Sequence, residues 1–155
     1  MNITSKSRYA LKIMMDLSSH DHELVRRQEI VRRQGVPAKY LDQILIKLRN
    51  AGLVNSTRGR DGGYALAREK SEITVWDILN AVEDGIYPVM CVDDHGSCSY
   101  EMGCITSGPW QMIFNAIRNE MSKLCLSELS RQFADEKKMC PIAGLRECHQ
   151  RRSHQ

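Results

Sequence analysis

The sequence contains no run of 18 or more apolar residues, so nothing in it reads as a membrane-spanning helix. Its first residues, MNITSKSRYALKIMMDL, lack the continuous apolar stretch and small-residue cleavage site of a secretory signal. Both absences predict a cytoplasmic chain with no membrane partner, in which thiols stay reduced. No nucleophile–base pair stands out. The stretch Gly59-Arg-Asp-Gly-Gly63 lacks the lysine and the spacing of a phosphate loop, so an enzyme is not expected. The six cysteines never stand two to four residues apart, so the usual ligand spacings of zinc fingers and ferredoxins are missing too.

What is present is an ordinary globular composition, 42% hydrophobic and 26% charged over 155 residues, enough for one domain or for a small domain with an extension. Charge is unevenly placed. Between Glu23 and Lys70 stand eleven lysines and arginines against five acidic residues, whereas from Pro88 to Gln155 the two signs balance at eight each. A basic segment ahead of a neutral one points to a polyanion-binding module joined to something else.

Hydrophobic periodicity gives the first half its layout. Thr4 or Ser5 can cap a helix to about Ser19, with Tyr9, Ala10, Ile13, Met14 and Leu17 on one face. A short helix fits Arg27 to Gln34, with Ile30 and Val31 inward. Gly35-Val-Pro37 breaks the chain, and the next helix, Ala38 to Asn50, carries the apolar stripe Leu41, Ile44, Leu45 and Leu48. Its other side presents Lys39 and Gln43, flanked by Tyr40, Asp42 and Lys47, the donors, acceptors and charge that a major-groove reader needs. Helix, glycine-containing turn, helix is the helix-turn-helix layout. Residues 53–57 and 64–67 then form a hairpin, with Asp61-Gly-Gly63 supplying positive φ at a tip that carries Arg58 and Arg60. Such a wing can reach DNA backbone or a narrow minor groove.

Thr74-Val-Trp-Asp77 fits a capping box that opens a further helix, with Val75, Leu79 and Val82 on its inner face and Gly85 available to end it. The expected fold is mainly α with a small β-hairpin, a winged helix-turn-helix followed by a long C-terminal dimerisation helix. That helix runs from Pro109 to about Leu126, with Trp110, Ile113, Phe114, Ile117, Met121 and Leu124 forming a heptad-like seam suited to pairing across a two-fold axis. A short helix follows at Ser127 to Gln132. The domain plan is 1–87 for the DNA-binding unit, 88–108 for a cysteine-rich loop, 109–132 for dimerisation and 133–155 for a polar, flexible tail.

Cys91, Cys98 and Cys104 lie within 14 residues, with six and then five residues between them. Thiolates suit soft or borderline metals. The wide spacing suits a loop wrapped around something larger than one ion, and Gly96 and Gly103 allow close backbone approach. An iron–sulfur cluster meets that description and usually takes four ligands. His95, Asp93, Asp94 and Ser107 are candidates for the fourth, beside a group from elsewhere in a dimer or a small exogenous ligand. A disulfide-forming thiol switch and a zinc site are the competing readings. Cys125 reads as a small buried hydrophobe inside the long helix, and Cys140, Cys148 and His149 have no specific spacing.

Taken together, several stretches resemble a known family, the winged-helix iron–sulfur repressors that include IscR, NsrR and RirA. They are Thr4-Ser-Lys-Ser-Arg-Tyr-Ala10, Tyr40-Leu-Asp-Gln-Ile44, Leu48-Arg-Asn-Ala-Gly-Leu-Val54, Arg58-Gly-Arg-Asp-Gly-Gly-Tyr64 and the three-cysteine loop. The similarity covers about Met1 to Gln132. It implies a homodimer that binds a partly palindromic double-stranded operator under the control of a cluster, sensing iron, redox state or nitric oxide. It implies DNA contact at Tyr40, Asp42, Gln43 and Arg58, and cluster ligation at Cys91, Cys98 and Cys104. IscR-like members carry a histidine where Ser107 stands. NsrR-like members can use an acidic residue near the N-terminus, where this chain reads Lys6-Ser-Arg8, and the first cysteine gap is one residue longer here than in either. These departures favour a 4Fe–4S cluster with three cysteines and a weak fourth ligand, with a 2Fe–2S cluster left open. The alternatives are a metal-free thiol-switch repressor and an iron–sulfur carrier with no operator.

Overall fold

The computed structural model describes residues 3–20, 23–83, 85–87, 89, 92 and 104–133. Along these the chain runs α1 (Ser5–Ser18), α2 (Arg27–Gln34), α3 (Ala38–Asn50), β1 (Val54–Thr57), β2 (Gly63–Leu66), α4 (Val75–Val82), α5 (Ser107–Lys123) and α6 (Leu126–Phe133).

Local chemistry sets most helix ends. The Thr4 hydroxyl accepts the Lys6 N–H at the start of α1 (3.1 Å). At α2 the Glu29 carboxylate accepts the Arg26 N–H (3.1 Å), and Gly35 closes the helix at φ 62°. The capping box of α4 forms as expected: Asp77 N–H donates to the Thr74 hydroxyl, and the Asp77 carboxylate accepts from Thr74 N–H and Oγ1. Helix α4 then ends at Val82 with Glu83 in extended backbone, so Gly85 (φ 133°) lies beyond the helix and does not terminate it.

The apolar stripes of α1, α2 and α3 meet in one core, while Val75 and Leu79 of α4 lie in a second, smaller cluster with Ile86. Ala10, Ile13, Met14 and Leu17 of α1, Ile30 of α2, and Leu41, Ile44, Leu45 and Leu48 of α3 are buried together with Ile78 and Val82 of α4. The Asp16 carboxylate is fully buried among them. Arg33 donates to it from Nε and Nη2 (3.0 and 2.7 Å) and Gln34 from Nε2 (2.7 Å), which ties the end of α2 to α1.

Strands β1 and β2 pair antiparallel, Val54 opposite Leu66 and Thr57 opposite Gly63. Val25 and Tyr64 exchange two backbone bonds of 2.9 Å each, which docks the hairpin on the chain entering α2. The positive φ of the tip falls on Gly59 (115°), not on Gly62 or Gly63. Gly62 is needed for space instead, because a Cβ there would run into the Thr57 carbonyl.

The long helix differs from its expected bounds at both ends. It begins at Ser107, so Pro109 sits in the first turn, where a missing N–H costs nothing. It stops at Lys123, because the next residues pair with the chain around the start of α4: Val75 N–H donates to the Leu124 carbonyl and Leu126 N–H to the Ile73 carbonyl, each at 2.9 Å. Cys125 therefore lies between α5 and α6, half-buried and bridged to Thr74, rather than inside a helix as a buried hydrophobe. Leu124 falls outside the seam for the same reason. Phe114 is the buried residue of α5, edge-on to Trp76 (5.9 Å between centroids) and 5.6 Å from Tyr87. Met112 and Ile113 remain exposed at 74% and 45%.

Candidate nucleic-acid interface and the cysteine segment

Helix α3 turns Leu41, Ile44, Leu45 and Leu48 into the core, which leaves Lys39, Tyr40, Gln43 and Ile46 on the outside. The Tyr40 ring lies 6.1 Å from that of Tyr9 on α1, and the Arg8 guanidinium stands 6.0 Å from the Tyr9 ring. Arg8 was not singled out from the sequence. It is tied to the reading helix through Tyr9, which α1 places against Tyr40.

Two of the expected contact residues are held by the protein itself. Arg27, the first residue of α2, donates from Nε to Asp42 Oδ1 and from Nη2 to Asp42 Oδ2, each at 2.7 Å. This bonding, assisted by the opposite charge, holds the Asp42 carboxyl below its usual range and raises the Arg27 guanidinium correspondingly. Lys47 is half-buried, and its Nζ donates to the Val82 carbonyl (2.9 Å), where a cation also suits the C-terminus of α4. On the wing Arg58 and Arg60 are exposed. Asp61 next to them pairs with Arg26 at 3.4 Å, a contact between two exposed groups that adds little stability.

Glu83 sits where the chain leaves α4. Its Oε1 accepts from Thr4 N–H (3.2 Å), Thr4 Oγ1 (2.6 Å) and Ser7 Oγ (2.5 Å). Burial alone would raise this carboxyl, but the bonds from Ser7 and Thr4 outweigh it and hold it below the usual range. Together Lys47 and Glu83 fasten the end of α4 to both the reading helix and the start of α1.

Of the proposed ligand set, Cys104 and Ser107 fall among the described residues; Cys91, Asp93, Asp94, His95 and Cys98 lie outside them, as do Cys140 and Cys148. Cys104 precedes α5, with its Sγ 3.1 Å from Thr106 Oγ1. Bonding from the Thr106 hydroxyl and backbone lowers the thiol below its ordinary range. A partly exposed thiol held below its ordinary range fits a metal ligand, and it fits a reactive cysteine equally well. The Ser107 hydroxyl donates to the Cys104 carbonyl (3.1 Å), so it serves the turn into α5. Among the described residues, no three His, Cys, Asp or Glu side chains cluster to hold a metal ion.

The sequence family described as Rrf2, iron-dependent transcriptional regulators, matches residues 3–132. The chain belongs to the Rrf2 family. Protein rrf2 of Nitratidesulfovibrio vulgaris is 32% identical over 142 residues, 91% of this chain and 92% of that protein. The transcriptional regulator IscR of Vibrio atlanticus is 37% identical over 134 residues, 84% of this chain and 76% of its own length. Among solved structures, IscR of T. potens superposes with a TM-score of 0.69 at 30% identity, covering 91% of this chain and 93% of that one. CymR, the global cysteine regulator of B. subtilis, superposes with a TM-score of 0.67 at 32% identity, covering 85% and 98%. The winged helix expected from the sequence is thus the fold of this Rrf2 chain, and the chain is a DNA-binding transcriptional regulator rather than an enzyme.

Proposed function

We propose that this Rrf2-family chain acts as a homodimer. It reads a partly palindromic operator with α3 and the wing, under the control of an iron–sulfur cluster held by Cys91, Cys98 and Cys104. The observation that carries the reading is the position of Cys104. Its thiol, bonded to Thr106, stands at the root of α5, which packs on the DNA-binding body through Phe114 and leaves Met112 and Ile113 exposed for a second copy. On this reading residues 1–87 bind DNA, the cysteine-rich segment before α5 holds the cluster, α5 and α6 pair the two copies, and 4Fe–4S is the favoured cluster.

Lys39, Tyr40 and Gln43 face the major groove, and Arg58 and Arg60 follow the backbone or minor groove. Bound by the thiolates, a cluster supplies a cross-link that is gained or lost with iron, oxidant or nitric oxide. The rest is the chain's own mechanics. The segment that carries Cys91 departs from an α4 end fastened to α1 by Glu83 and to α3 by Lys47. A pull from a bound cluster would reach the reading helix through these two fastenings. Two reading helices must land about 34 Å apart, so a small rotation matters. A tenfold change in affinity needs only about 1.4 kcal/mol.

Titration of an operator selected from random duplexes tests the DNA half. Arg58→Ala is expected to weaken binding to all operator variants alike and to lower the salt slope by about one per half-site. Gln43→Ala is expected to relax preference at one base position more than it lowers overall affinity. Wild-type affinity and slope in Arg58→Ala would contradict the wing assignment, and an unchanged preference in Gln43→Ala the groove assignment.

A metal-free thiol switch is the second reading. It is favoured by the same lowered Cys104 thiol and by likeness to CymR of Staphylococcus aureus, which has been solved in an oxidized form, at 27% identity.

A further inference from the structure

An arginine in the first turn of a helix works against the helix dipole. Arg27 occupies that position in α2, directly after Arg26. Its partner Asp42 explains the placement only in part, because both side chains are more than 40% exposed, which limits what even a two-bond pair contributes to stability. The pair does fix geometry. Two parallel bonds of 2.7 Å, with Nη2 also 3.4 Å from the Ala38 carbonyl, hold the guanidinium plane against the first turn of α3. A guanidinium has five donors. Among the described residues, the two on Nη1 have no partner.

In helix-turn-helix proteins the first helix of the motif crosses the DNA backbone while the second enters the groove. With the fork engaged by Asp42, the two donors on Nη1 can still make a charge-assisted bond to a phosphate oxygen. We infer that Arg27 is a DNA-contacting residue, oriented by Asp42 toward a backbone phosphate at the edge of the groove. This rests on the operator-reading role of α3. It changes what Asp42 does. With both oxygens engaged by Arg27, Asp42 positions an arginine and does not accept from a cytosine amine. Arg27 in turn masks a carboxylate that would otherwise face a polyanion.

The test is a mutant cycle titrated at several salt concentrations against the operator selected by the wild type and its single-base variants. Arg27→Ala removes a charge-assisted bond and unmasks the carboxylate. It is expected to cost about tenfold or more per half-site, uniformly across variants, with the salt slope lowered by about one. Asp42→Ala alone should cost less. Arg27→Ala combined with Asp42→Ala should bind better than Arg27→Ala alone, because the exposed carboxylate is gone. Arg27→Lys, which keeps charge but loses the fork, should fall between wild type and Arg27→Ala and guards against a folding artefact, with thermal melting run on each protein.

Wild-type affinity and slope in Arg27→Ala would overturn the assignment. So would a loss confined to one base pair, which would make Arg27 a base reader, or a double variant no better than Arg27→Ala. If Arg58→Ala behaves as a wing residue while Arg27→Ala is silent, this inference fails alone. If the wild type selects no sequence at all, the operator-reading role fails with it.

Discussion

Replacing Cys104 with alanine is expected to leave the protein colourless when purified without oxygen, with iron and sulfide near zero, while Cys125→Ala stays brown. The two cysteines make a matched pair. Both are half-buried, and each thiol is lowered by a nearby hydroxyl, Thr106 in one case and Ser127 in the other. Thiol activation alone therefore does not separate them. Position does. Cys104 follows the segment that carries Cys91 and Cys98, whereas Cys125 is held between α5 and α6 by its bridge to Thr74. Clusters of this kind are held mainly by thiolates, so losing one of three is expected to empty the site. Iron and sulfide retained in Cys104→Ala would remove this residue from the ligand set. A wild type that stays colourless after anaerobic reconstitution with iron and sulfide would favour the thiol switch.

The largest effect on stability is expected at Arg33. The Asp16 carboxylate is fully buried, and its charge is met by the guanidinium of Arg33 and the amide of Gln34. Arg33→Ala leaves that charge in the core with the amide bond alone. Breaking a buried pair from this side costs about 3–5 kcal/mol, a large share of a small domain's stability. Asp16→Ala is expected to cost less, because Arg33 is 29% exposed and can turn toward water. Urea denaturation measures both. Equal losses would mean that the pair contributes symmetrically, and a loss below about 1 kcal/mol in Arg33→Ala would mean that the buried carboxylate is satisfied in another way.

The first half of the fold is legible in the sequence because its signals are local. The stripe of α3, the capping box of α4 and the hairpin around residues 58–62 each rest on neighbours in the chain. Long-range effects account for the departures. Proline suggested a helix start at Pro109, yet a first turn tolerates proline and α5 begins earlier. Periodicity carried the helix to Leu126, yet pairing of 124–126 with 73–75 stops it at Lys123. At the interface Lys39, Tyr40, Gln43, Arg58 and Arg60 are exposed as expected. Lys47 and Asp42 turn out to have partners, Val82 and Arg27, that lie 35 and 15 residues away. Glu83 gave no sequence signal either, because its role at the start of α1 exists only once α4 packs against α1.

The most direct measurement is anaerobic selection of binding sequences from a random duplex library by the brown protein. The affinity for the winning sequence is then compared before and after removal of iron and sulfide. A partly palindromic sequence should emerge, and its affinity should change at least about tenfold between the two states, in either direction. No enriched sequence, or one bound equally in both states, would contradict a cluster-controlled operator reader.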